Sequence, residues 1–370
     1  MKHFSWALPV LLLGWANGLK AAEPMMDTGL LGSYRSAPPN LAQDGNFSEA
    51  IDRERKALRI AQDQFGDLHP SLAPIFDDLA ALERTAGLYS RAEEDYRWAL
   101  ALREKAFGLG SKPVGLSLLD LAALLSDLGR FDEATLCVQK AYKILSQNGD
   151  SDEAQCLLEW GILARENKDL PGSEDRLREC LGMRSQVPPR WQVEEELART
   201  LLAAGKKDEA LKMAEGSLAD RKTLYRADSP EVGRSLQFSG DIHRAAGTGQ
   251  ATDLYEAAAA IRDRLIGPDL FTNIPYLQES AETDQALGRF KIAQALFWRV
   301  LALTRQYYGP EHPRTAFLLE KLAYVDRSLK EEGKAREQQQ EAVRILEKAL
   351  GHDHPATLRA LQLLEKLKGK

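Results

Sequence analysis

Long apolar runs are scarce in this chain: beyond the first two dozen residues no stretch has the length to cross a bilayer. A basic excess is also missing. The formal net charge is −6 and the pI is near 5.7, which argues against the phosphate contacts of a nucleic-acid binder. Aromatic residues make up only 7% of the 370 positions, while Ala, Leu, Glu and Arg are plentiful, a mixture that favours helices over strands. No Gly-x-Ser-x-Gly, P-loop or dinucleotide fingerprint occurs. Cysteines number three, and an odd count in an exported chain leaves at least one unpaired or shared with another molecule.

The N-terminus is built differently from the rest. Lys2 and His3 make a short polar start, Phe4 to Ala16 run almost entirely apolar, and small residues follow at Ala16, Gly18, Ala21 and Ala22. An apolar core of this length with small residues after it reads as a signal peptide over 1–22, cleaved within Gly18–Ala22. The expected product is an exported chain, periplasmic or extracellular, with no membrane span once the signal is removed. Residues 23–45, with Pro38-Pro39 and scattered Gly and Ser, read as a flexible lead-in.

Two residue registers then repeat together. Ala50, Ala92 and Ala134 are each 42 residues apart, and Ala251, Ala293 and Ala335 keep the same step. Gly66, Gly108, Gly267, Gly309 and Gly351 each lie 16 residues after the alanine of their own unit, while Gly87, Gly129, Gly205 and Gly288 precede theirs by five. Between these landmarks apolar residues follow helical spacing, as in Leu118, Leu121, Ala122 and Leu125. Each unit is therefore expected to be two helices and two turns. The prolines of His69-Pro70, Ser229-Pro230, His312-Pro313 and His354-Pro355 suit the first turn of a new helix, where a missing N–H costs nothing. Gly66, Gly309 and Gly351, four residues upstream, suit a left-handed helix end.

With FGDLHP, YGPEHP and LGHDHP after helices such as RAEEDYRWALALREKAFG, the chain resembles the 42-residue tetratricopeptide repeats of kinesin light chains and related bacterial proteins, here as an exported member. The resemblance covers about Asn46 to Leu367. It implies an all-α fold, a right-handed α-solenoid of helix pairs over 46–370, whose stacked units share one core and wind into a superhelix with a concave wall. Irregular units are expected at about 149–191, where spacings of 39 and 37 residues lead to Ser173 and Ala210 and Pro188-Pro189 replaces the usual turn. A lone leading helix, about seven pairs and a closing helix from Ala356 to Leu367 are expected.

The resemblance also implies where a partner would sit. In that family the first helix of each pair lines the concave wall, and the position two residues before its central small residue meets bound peptide. Here that position is Asp78, Asp120, Glu159, Glu196, Phe238, Glu279 and Lys321. The first four are consecutive carboxylates, an acidic stripe that would repel itself unless a cationic partner or solvent relieved it. The stripe points to a partner protein carrying a Lys- or Arg-bearing segment. Trp98, Trp160, Trp191 and Trp298 sit among apolar helix positions and are expected in the core.

Chemistry is harder to find. His69, His312 and His354 belong to the His-Pro turns, so a structural role is expected, and His352 with His354 lacks the further ligands a metal needs. Cys137, Cys156 and Cys180 lie in consecutive helices; Cys156 and Cys180 fall on the two helices of one pair, where a bridge or two buried thiols are both open. No catalytic, cofactor or metal residues are assigned. The expected function is a non-enzymatic scaffold or adaptor that binds a partner segment in its groove. The alternative is a structural subunit of a cell-envelope or secretion assembly that docks through its convex face.

Overall fold

The computed structural model describes residues 45–147, 150–262 and 271–368, together with positions 42 and 264. The expected signal segment 1–22 lies outside the described residues, as does most of the lead-in. Sixteen α-helices are present among the described residues, and no strand. A leading helix α1 (Phe47–Phe65) precedes seven pairs: α2 (Ala73–Thr85) with α3 (Tyr89–Phe107), α4 (Lys112–Asp127) with α5 (Phe131–Leu145), and α6 (Asp150–Glu166) with α7 (Leu170–Gly182). There follow α8 (Arg190–Ala203) with α9 (Lys207–Leu224), α10 (Pro230–Ala246) with α11 (Ala251–Arg262), α12 (Ile274–Ala286) with α13 (Phe290–Tyr307), and α14 (Pro313–Ser328) with α15 (Glu332–Leu350). The last helix is α16 (Pro355–Lys368). Short 3₁₀ turns at Pro70–Leu72 and Phe271–Asn273 lead into α2 and α12.

The turns follow from their residues. His69, His312 and His354 are the residues before the prolines, and each turns its imidazole Nδ1 onto the new helix, accepting from the backbone N–H of Ser71, Arg314 and Ala356 at 3.3, 3.1 and 3.1 Å. Ser229 does the same with its hydroxyl for Val232 N–H. The histidines thus serve as helix caps, which satisfy N–H groups that the first turn leaves without partners. Between the helices of a pair the chain passes through the left-handed region, and the next N–H reaches back to the final turn, as in Arg130 to Leu125 O and Lys206 to Leu201 O, both 2.9 Å. At Lys168 (φ 64°) and Lys330 (φ 66°) lysine adopts this conformation where sister turns have glycine.

The described residues fall into two compact units, one ending at Leu102 and one starting at Arg103. In the first, α1, α2 and the first part of α3 close over Ala57, Ala61, Leu72, Ile75, Phe76, Ala99 and Leu102. In the second, layers are shared between neighbouring pairs. Leu157, Leu158, Leu177, Val193, Leu197, Leu201, Ala210 and Ile242 form one buried cluster running from α6 to α10. Each buried leucine contributes about 2 kcal/mol, so a pair gains its stability from the pairs beside it. The recurring small residues Ala134, Ser173, Ala210, Ala293 and Ala335 are fully buried where helices cross.

The first helices of successive pairs touch one another, α6 with α8, α8 with α10, and α10 with α12. The end of the second unit also returns to its start: His354 Nε2 is 3.0 Å from the carbonyl oxygen of Asp127, 227 residues away. The row of pairs in this unit therefore bends round on itself, and the mutually touching first helices form its inner wall.

Candidate functional site

All seven positions singled out in the sequence are half-buried. Asp78 lies on α2 in the first unit. In the second, Asp120, Glu159, Glu196, Phe238, Glu279 and Lys321 stand one per first helix, on α4, α6, α8, α10, α12 and α14.

Glu196, Glu279 and Lys321 meet opposite charges from within the chain. Glu196 accepts from Arg165 of α6 at 3.1 Å and from Arg199, one turn along its own helix, at 2.5 Å. The Arg199 guanidinium lies 4.6 Å over the ring of Phe238 on α10. Glu279 pairs with Arg234 of α10 at 2.9 Å and with Arg262 of α11 at 3.2 Å. Lys321 reaches Glu282 of α12 at 3.3 Å, and Glu282 also accepts from Gln237 of α10 at 3.5 Å. Glu159 accepts from the Gln155 amide at 3.2 Å. From α6 to α14 the wall carries the cross-helix pairs Arg165–Glu196, Arg234–Glu279 and Lys321–Glu282.

Environment sets the charge of each group. Burial pushes the Glu279 carboxyl up despite its two arginines. For Glu282 burial acts in the same direction, but Lys321, Gln278 and Arg262 outweigh it and hold the carboxyl below its ordinary range. Arg165, Arg199, Arg234 and Glu282 were missed in the sequence reading. A signal existed for three of them: Arg199 and Glu282 are three residues after a wall position and Arg234 four before one, on the same helix face.

Beneath the wall lie three buried arginines in equivalent places, Arg103, Arg221 and Arg262, each eleven residues after the small residue of its unit. Arg103 donates to Ser117 Oγ at 2.6 Å. Arg221 pairs with Glu195 at 3.0 Å and lies 3.7 Å over the Trp191 ring. Arg262, 2% exposed, donates to Gln237, Thr283 and, at 2.8 Å, the Glu279 carbonyl. These guanidinium groups tie second helices to the wall from below.

The tryptophans depart from expectation. Trp98 is 51% and Trp298 43% exposed, and Trp160 and Trp191 are half-buried under Arg176 and Arg221. Their helical spacing among apolar residues does not reveal that a ring covered by a guanidinium, or lying along an outer face, needs no core site. Cys156 and Cys180 are buried free thiols. Burial first, and then nearby carboxylates, push both up to about 12, far from the range of a nucleophilic thiolate. Among the described residues no group of three His, Cys, Asp or Glu could hold a metal ion, and no helix is long and apolar enough to cross a membrane.

Known proteins share this architecture. Tetratricopeptide-repeat families match residues 40–105, 272–348 and 195–231. Protein KINESIN LIGHT CHAIN-RELATED 3 of Arabidopsis thaliana is 22% identical over 319 residues, 86% of this chain; the chain spans only 42% of that relative's length. Yeast Tom70 superposes with a TM-score of 0.58 at 16% identity, covering 94% of this chain and 66% of its own. A Rap protein crystallised with Competence and Sporulation Factor gives a TM-score of 0.50 at 12% identity, covering 92% and 98%. The fold is thus a solenoid of helix pairs. Within it, tetratricopeptide repeats are recognised in the three matched stretches.

Proposed function

We propose that this chain is a non-enzymatic scaffold that holds a segment of another protein along the inner wall of its second unit. The observation that carries the reading is the wall itself. Side chains at one register from α4 to α14 are half-buried, and three of them, Glu196, Glu279 and Lys321, are held across helices by Arg165, Arg234 and Glu282. Side chains fixed in advance lose little entropy when a ligand arrives. The Rap protein of similar fold, crystallised with Competence and Sporulation Factor, supports the use of such a solenoid for holding a partner. Lys or Arg side chains of a partner are read by the carboxylates of the wall, Asp120, Glu159, Glu196 and Glu279. Charge complementarity there acts mainly on encounter rate and specificity. The apolar segment Phe4–Ala16 supports an exported location, periplasmic or extracellular.

The test is capture of envelope proteins by the chain beside an Asp120→Asn, Glu159→Gln variant and, separately, a Glu196→Gln, Glu279→Gln variant. The reading expects a specific partner that is weakened by salt and lost with at least one of the two variants. A partner retained by both variants at all salt concentrations would overturn it.

A second reading has one observation in its favour. On α13, a second helix, Ile292 and Trp298 are 52% and 43% exposed. They suit docking into a larger assembly through the outer side, and in that case Ile292→Ser with Trp298→Ser, rather than the wall variants, abolishes association.

A further inference from the structure

One contact joins residues 227 positions apart, at the two ends of the second unit. Asp127 ends α4, and its carbonyl is one of those a helix terminus leaves without an intrahelical partner. His354 satisfies it. Because Nδ1 of this imidazole accepts from Ala356 N–H, the ring proton sits on Nε2, which donates to Asp127 O at 3.0 Å. A single ring thus caps α16 and ties it to the far end of α4. Beside it, Pro355 packs onto Gly129: a Cβ on Gly129 would stand 2.6 Å from Pro355 Cδ. The corresponding glycines Gly205 and Gly288 have open space in the same direction, and the corresponding Lys168 and Lys330 carry long side chains. The turn accepts side chains elsewhere, but at Gly129 the space belongs to Pro355.

We propose that the docking of the His354-Pro355 turn onto the Asp127–Gly129 turn is a clasp that closes the inner wall of the second unit into a ring, which a partner segment enters when the clasp opens. This rests on the inner wall being the binding surface. A contact between two turns is a small tie compared with the leucine layers between adjacent pairs, so the clasp opens without unfolding them. The charged groups facing His354 are Asp127 and Arg359.

The test compares full-length Gly129→Ala with Gly288→Ala. Both place a side chain at positive φ, +68° and +74°, but only the first meets the closing helix. Small-angle X-ray scattering gives the radius of gyration, and hydrogen exchange follows the amides of 127–130 and 356–358. Gly129→Ala is expected to enlarge the radius and speed exchange in both segments relative to Gly288→Ala. Should Gly129→Ala fail to fold, His354→Asn replaces it, since asparagine still caps a helix but is too short to reach Asp127. Equal radius and equal exchange in variant and reference overturn the clasp. Neither readout involves a partner, so a clasp that opens as expected while the wall captures nothing counts against the binding reading alone.

Discussion

Glu83 on α2 and Asp95 on α3 share a hydrogen bond between their carboxyl groups, with Arg55 of α1 2.6 Å from Glu83 on its other side. One proton must lie between two acids. Burial, then the charge of Glu83 and the shared bond, push Asp95 up to about 7.

The first unit should therefore feel pH in a defined direction. The folded carboxyl is raised above its unfolded value of about 3.9, so its stabilising share is full below about pH 4 and is lost as pH rises through about 7. Asp95→Asn, which keeps a hydrogen on the shared bond at every pH, is expected to slow hydrogen exchange in α1–α3 relative to the parent at pH 8 and to change it little at about pH 4. Equal exchange in variant and parent at pH 8 would remove the shared proton from the account.

Lys168 and Lys330 sit at φ 64° and 66°, a conformation that costs an L-residue roughly 1–2 kcal/mol, of which glycine's greater chain entropy cancels part. Lys168→Gly and Lys330→Gly should each stabilise by about 0.5–1 kcal/mol in urea unfolding. Destabilisation by either would show that the lysine side chain contributes contacts exceeding its backbone cost.

Arg262 is enclosed by Gln237, Thr283 and both the carbonyl and carboxylate of Glu279. Arg262→Met breaks the buried Arg262–Glu279 pair, leaves Glu279 with Arg234 and the Gln237 and Glu279 carbonyls with the Thr283 hydroxyl, and costs roughly 3–5 kcal/mol. Calorimetry on parent and variant measures it. A loss under about 0.5 kcal/mol, the range of an ordinary surface change, would mean that the cluster rearranges or admits water.

Much of the helix order was legible in advance because turns need particular residues. The paired registers of glycine and buried alanine, with prolines after histidine or serine, located the helix pairs and also α16, expected from Ala356 and found from Pro355. Lys168 and Lys330 escaped because nothing in a lysine announces positive φ; the surrounding turn imposes it. The six wall positions of the second unit do stand on successive first helices, yet their electrostatics were not legible. Arg165 reaches Glu196 from 31 residues upstream, and Arg262 reaches Glu279 from beneath another helix. Such partners follow from the stacking of pairs and from no local spacing. The return of His354 to Asp127 depends on the curvature summed over six pairs, which a repeat length does not specify.

The most direct test of the central claim is site-specific photocrosslinking in the native host, with p-benzoylphenylalanine placed in turn at Glu159, Phe238 and Glu279 on the inner wall and at Leu136, Ile292 and Trp298 on second helices. Mass spectrometry then identifies what is joined. A scaffold that works through its wall gives one partner protein joined through one continuous segment from the three wall positions. Crosslinks from the second-helix positions alone would contradict that account and assign the interaction to the outer face.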